Sequence, residues 1–133
     1  MDSLQQKREE ILRTMFGAVS SGDMKTFATC YHPEAKIWHN SDELYHEVEE
    51  MMPQLASLQD ITAEFQYADQ TVVWSGDEAF SEHKLSGTLL SGTSFAIPVL
   101  MRIKFSGDRI ISLREYLDSH HTECFTEARA EHA

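Results

Sequence analysis

Residues 113–121, Leu-Arg-Glu-Tyr-Leu-Asp-Ser-His-His, bring a guanidinium, two carboxylates and a phenol into five consecutive positions, 114–118. Such groups can do acid–base work: a carboxylate takes or returns a proton, and a phenol hydrogen-bonds a carbonyl or enolate oxygen. On a strand, alternation puts Arg114, Tyr116 and Asp118 on one face and Leu113, Glu115 and Leu117 on the other. Both faces mix charge with apolar groups, so two registers stay open. If Ile111, Leu113 and Leu117 face the interior, Asp118 faces out. If Tyr116 and Asp118 face the interior, the leucines need another cover, which a partner subunit would supply. An aspartate in an apolar pocket has its pKa raised, which suits a proton shuttle near neutrality.

A second candidate is His83. In Ala79-Phe-Ser-Glu-His-Lys-Leu85, alternation sets Ala79, Ser81, His83 and Leu85 against Phe80, Glu82 and Lys84. The charged face belongs in water or at a subunit contact, so His83 is expected to point inward, where it could act as a base without much tuning. A third cluster is Trp38-His39-Asn40. Trp38 shares a face with Asn40, the only asparagine in the chain, and His39 lies opposite. Asn40 is expected to hold water or substrate beside Trp38, the alternative being that it caps the next helix. Phe95, Ile97, Val99 and Met101 form a wholly apolar row with Ile103 and Phe105, and are expected to line the same pocket.

Other chemistries find no motif. His32, His46, His120, His121 and His132 lack metal-ligand spacing, and neither H-E-x-x-H nor C-x-x-C occurs. There is no glycine-rich phosphate loop. The expectation is a site without metal or cofactor.

The elements that must position these groups change character along the chain. Leu4, Ile11, Leu12, Met15, Phe16 and Val19 recur at helical spacing, with Ser3 as N-cap and Ser-Ser-Gly-Asp at 20–23 as the stop. A short helix over Met24–Tyr31 is stopped by Pro33, and Ala35–Asn40 reads as a strand. A third helix is expected over Ser41–Leu55, capped by Ser41 or Asp42 and broken or kinked at Pro53. From Ile61 on, four runs rich in β-branched and aromatic residues follow. Joints at Ser-Gly-Asp 75–77, Ser-Gly-Thr 91–93 and Ser-Gly-Asp 106–108 read as hairpins. Pro98, mid-strand, predicts a bulge or bend. The pattern is α+β: about three N-terminal helices packed on a curved antiparallel β-sheet that curls into a cone around a central pocket.

The 133 residues suit a single domain spanning 1–133, and 41% hydrophobic content is enough for one core. A net charge of -11 disfavours nucleic acid and anionic membranes as partners. The charged start and the lack of a long apolar run point to a protein with no membrane partner. Two cysteines, Cys30 and Cys124, suit the cytoplasm.

The order of elements, the segment Ser21–Asn40 and the closing Ser106–Ser119 resemble the SnoaL-like branch of the nuclear transport factor 2-like superfamily. That branch includes ketosteroid isomerases, limonene epoxide hydrolases, scytalone dehydratases and polyketide cyclases. The resemblance implies that Asp118 is the inward catalytic aspartate with Tyr116 beside it, and that Trp38 and Asn40 are pocket residues. Glu82, His83 and Lys84 stand near where the epoxide hydrolases have an arginine and a second aspartate, so an Asp-Arg-Asp set is absent. The favoured function is cofactor-independent isomerase, cyclase or dehydratase chemistry on a small hydrophobic carbonyl-containing metabolite, polyketide- or steroid-like. Asp118 or His83 would be the base and Tyr116 the donor. The alternative is a non-catalytic small-ligand-binding or dimerising module, and epoxide hydrolysis comes third. A homodimer is expected through the outer sheet face, built on Phe80, Pro98, Leu100, Ile111, Leu113 and Leu117, unless the C-terminal segment covers that face.

Overall fold

Helix α1 (Ser3–Ser21) begins the chain in the computed structural model, which describes residues 2–132. Asp2, one residue before the expected cap, accepts the Gln5 backbone N–H at 2.7 Å. Gly22 ends the helix at φ 75°, and its N–H and that of Asp23 close on Val19 and Ala18. This left-handed turn is open to glycine, and a Cβ there would sit 2.6 Å from the Gln59 side chain. Leu12, Met15, Phe16 and Val19 form the buried stripe. Arg8 is buried with them. Its guanidinium reaches the Gly107 carbonyl at 2.8 Å and the Asp77 carboxylate at 2.9 Å, tying α1 to two hairpin turns.

Next come α2 (Met24–Thr29), β1 (Tyr31–His39), β2 (Tyr45–Glu47), α3 (Val48–Ala56), α4 (Leu58–Ile61), β3 (Thr62–Ser75), β4 (Glu78–Leu89), β5 (Ser94–Ser106) and β6 (Arg109–Leu117). A 3₁₀ turn (Ser119–Thr122) and α5 (Glu123–His132) close the chain. One curved, unclosed sheet runs in the order β2-β1-β6-β5-β4-β3. The strands from β3 to β6 form the antiparallel meander, whereas β1 joins β6 in parallel, making the sheet mixed.

The concave face holds the core. On β5 burial alternates strictly: Phe95, Ile97, Val99, Met101, Ile103 and Phe105 are buried, and the residues between them are exposed. The pairing of β5 with β4 runs through Pro98 without a register shift, correcting the expected bulge. Its ladder with β6 ends one residue later, at Val99–Leu117, so the missing N–H falls at the ladder's end.

The third helix starts seven residues later than expected. Tyr45–Glu47 pair with Lys36–Trp38 of β1, and the helix begins at Val48 behind a Glu47–Glu50 capping box. It continues through Pro53 to Ala56. The C-terminal segment leaves the outer sheet face open: α5 lies on α4, with Arg129 donating to Ser57 Oγ at 3.0 Å and Phe125 edge-on against Phe95.

Candidate functional site

The open end of the concave face holds a cavity of about 450 Å³, continued inward by a recess of about 50 Å³. Two walls of the sheet supply its most buried polar groups, and the loop after β1, α3 and the C-terminal segment add others.

The first wall is the parallel β1–β6 pair. Their register sets His39 directly beside Glu115, with His39 Nε2 3.1 Å from Glu115 Oε1. Both side chains are about four-fifths buried, and both face the cavity. Burial disfavours the His39 charge, but pairing with Glu115, helped by Asp42, outweighs it and raises the pKa. Asn40 extends the ladder beyond β1. Its N–H donates to the Glu115 carbonyl, its Nδ2 donates to the Leu117 carbonyl at 3.0 Å, and its Oδ1 accepts the Leu117 N–H at 3.1 Å. The amide side chain thus imitates one more strand residue and fixes the register that pairs His39 with Glu115.

The second wall is β3–β4. His83 is 2% exposed, with Nδ1 2.9 Å from Ser81 Oγ, which in turn accepts the Gln70 Nε2–H at 3.0 Å. Burial lowers the His83 pKa, and the Glu115 charge offsets this in part. Tyr67 and Phe16 stand edge-on to the imidazole, with ring centroids 5.2 and 5.3 Å away. Burial, and secondarily the Glu115 charge, also raises the Tyr67 pKa, so this phenol remains a donor. Tyr31, at the recess, is likewise raised, first by burial. Among the described residues, Tyr31 Oη and His83 Nε2 are the buried side-chain polar atoms without a partner.

At the mouth, His46 sits between Asp42 (2.8 Å) and Glu50 (3.2 Å), and their hydrogen bonds raise its pKa. Ile97, Val99, Leu85 and Leu117 supply apolar lining.

The expected site residues therefore divide. His83, Ile97 and Val99 face the cavity, and Met101 lines the recess. Phe95 packs on Phe125 instead. Tyr116 and Asp118 are on the other face, because Leu113, Glu115 and Leu117 turn inward. Asp118 caps the 3₁₀ turn by accepting the His120 N–H at 2.9 Å. Tyr116 packs outside with Trp38, whose ring carries the Arg114 guanidinium 3.9 Å from its centroid. Arg114 also donates to Tyr45 Oη at 2.7 Å and to Tyr116 Oη at 3.1 Å. This outer aromatic cluster buries Trp38 away from the cavity. Groups of the cavity and its recess left unassigned from sequence include Glu115, His39, Tyr67 and Tyr31, with the Gln70–Ser81 link behind His83. The signal for Glu115 was present: it lies between two leucines whose face has to be buried.

A model of the SnoaL-like domain matches residues 12–113. The chain belongs to the SnoaL-like family. No curated protein matches it significantly in sequence. Solved structures show the same fold for this SnoaL-like chain. One is a Bacillus subtilis protein provisionally named an isomerase, 18% identical, with a TM-score of 0.77 over 95% of this chain and 96% of that one. Another is a Xanthomonas campestris pv. campestris protein provisionally named a polyketide cyclase, 14% identical, with a TM-score of 0.76 over 95% and 99%. A third is a Catenulispora acidiphila protein with a ketosteroid isomerase-like fold, 16% identical, with a TM-score of 0.69 over 80% and 84%.

Proposed function

We propose that the protein moves a proton at a carbon next to a carbonyl in a small hydrophobic metabolite, as an isomerase, cyclase or dehydratase would, with the His39–Glu115 pair as its acid–base group. One observation carries this reading: a carboxylate and a histidine 3.1 Å apart, mostly buried, on the wall of a cavity lined by both apolar and polar side chains. Glu115 takes the C–H proton, the electron pair moves onto the carbonyl oxygen, and an enolate forms. His39 steadies the carboxylate while it is charged, and Glu115 returns the proton to the same or another carbon. The phenol of Tyr67, kept protonated by burial, supports charge on the substrate oxygen. The neighbours provisionally named an isomerase and a polyketide cyclase are consistent with such chemistry.

The test works whatever the final product is. A panel of small hydrophobic ketones is incubated with the protein in D₂O, and exchange of the C–H next to the carbonyl is read by proton NMR. Exchange with the wild type, lost in Glu115→Gln, supports the reading. Ligands that bind without exchange would favour a non-catalytic binding module.

We also propose a homodimer through the outer sheet face. Leu100, Val73, Tyr45 and Tyr116 are exposed there, and Arg102 pairs with Glu78 at 2.9 Å beside them. Leu113 and Leu117 do not belong to this face. A dimeric mass by light scattering, reduced to a monomer by Leu100→Glu, supports it, and a monomeric wild type at micromolar concentration refutes it.

A further inference from the structure

Opposite His83, strand β3 carries one residue more than β4. Ala68 pairs with Lys84 and Thr71 with Glu82, leaving both Asp69 and Gln70 across from His83. Asp69 takes φ 54°, in the left-handed region that aspartate enters more readily than most residues. A bulge of this kind re-aims side chains. Here it lets Gln70, an exposed residue, reach inward to the fully buried hydroxyl of Ser81.

We propose that the Gln70–Ser81 link fixes His83 as the neutral Nε2–H tautomer, a hydrogen-bond donor aimed at an acceptor oxygen of the ligand and not a base. The proton count supports this. A serine hydroxyl has one hydrogen and two lone pairs. Ser81 Oγ already accepts from the Gln70 amide, so its hydrogen goes to Nδ1 of His83, and the ring proton sits on Nε2. The opposite tautomer would make Ser81 accept twice and leave its own hydrogen unmet at a position with no solvent exposure, adding a second orphan to the one at Nε2. The groups around the ring, Phe16, Tyr67 and the cross-strand Val99, offer no carboxylate in contact to hold a second proton. Nε2 itself is buried and without a partner, on a residue that lines the cavity. A buried polar atom left unmet is costly, and a ligand oxygen that meets it regains that cost on binding.

This assignment rests on the proton-transfer reading for its substrate class and deepens it. With a donor on β4 and a carboxylate on β6, the cavity takes a molecule whose carbonyl oxygen lies at His83 and whose neighbouring C–H lies at Glu115. Ser81 and Gln70 are positioning residues that act through His83.

The test is nitrogen NMR of the histidine rings in the resting protein. The wild type should show a protonated, pyrrole-type Nε2 and a pyridine-type Nδ1 for His83 at neutral pH. Gln70→Glu replaces the donor with an acceptor that takes the Ser81 hydrogen, so the proton should move onto Nδ1. A wild type with Nδ1 protonated overturns the proposal, as does a Gln70→Glu protein with an unchanged tautomer. Gln70 is exposed, so this variant keeps its core. For the donor role, the protein is titrated with cyclohexanone and with methylenecyclohexane, occupancy being read from the Ile97 and Val99 methyl shifts. The His83 Nε2–H resonance should move with the ketone alone. Ketone occupancy without that movement, or no ketone occupancy, overturns the donor role. Turnover is a separate readout: absence of C–H exchange with the Nε2–H tautomer present counts against the proton-transfer reading and supports the tautomer all the same.

Discussion

The two polar walls of the cavity each present one histidine, and they treat it oppositely. On β1–β6, His39 meets a carboxylate, and its pKa rises despite burial. On β3–β4, His83 meets a hydroxyl, and burial lowers its pKa. Burial acts in the same direction at both rings, so the difference comes from the partner: a full negative charge at contact outweighs desolvation, and a neutral dipole does not. One wall is thereby suited to exchange protons and the other to hold an oxygen. The same division of labour arises wherever titratable groups are pushed apart by their surroundings.

The largest effect expected from breaking this contrast is Glu115→Gln. C–H exchange should fall by about 10²-fold or more, the usual cost of losing a general acid–base group. The same substitution should reverse the shift at His39. With the carboxylate gone, burial remains as the leading influence, and the His39 pKa should drop below its ordinary value of 6.5. Histidine NMR titration checks this, and a His39 that stays raised would show that Glu115 is not its partner.

Asn40→Ala comes next. It removes two hydrogen bonds to Leu117 and should cost about 1–2 kcal/mol in urea unfolding. It should weaken exchange through the His39–Glu115 register and leave the His83 nitrogen signals where they are. Equal disturbance of both walls would mean that they are not independent.

The pH dependence of stability should also separate the walls. His39 has a raised pKa, so its contribution is full below about pH 6.5 and fades as pH climbs through the raised value. His83 has a lowered pKa, so its contribution is full above about pH 6.5 and fades as pH falls through the lowered value. His39→Gln should therefore cost more stability in acid than in base, and His83→Gln the reverse, by urea titration at several pH values. The smallest effects belong to the outer face. Asp118→Asn keeps a cap to His120, and Tyr116→Phe removes one exposed hydrogen bond. Both should change stability by about 0.5 kcal/mol or less and leave exchange near wild type.

Much of the fold was legible because local rules governed it. The strict alternation of β5, the glycine turns and the stripe of α1 each follow from a single periodicity. His83 was legible for the same reason: its face was the one without charge. The first wall was not, and the reasons are physical. Ile110 and Leu113 are both buried although three residues apart, because the β5–β6 register shifts at Lys104–Phe105 and breaks the alternation of β6. Trp38 is 8% exposed while on the outer face, since Arg114 and Tyr116 cover it, and a buried tryptophan reads as a pocket residue. The two leucines flanking Glu115 were the better guide to the inward face, whereas the family resemblance pointed to Asp118. Gln70 was illegible because Ala-Asp-Gln contains no glycine to announce the bulge. The third helix starts late because Tyr45–Glu47 pair with Lys36–Trp38 of β1, and this tertiary pairing overrides the helical pattern of the segment.

The parallel seam between β1 and β6 also sets a timetable. Asn40 and Leu117 are 77 positions apart, and the β1–β6 pairs that precede them span similar distances. Each meander hairpin can zip as its two strands leave the ribosome, whereas β1 must wait with only β2 beside it until β6 has been made. Long-range closures of this kind are slow relative to hairpins. The wall bearing His39 and Glu115 therefore assembles after the β3–β4 wall. A nascent chain halted before Arg109 would hold His83 and its β3–β4 link but lack the strand that carries Glu115.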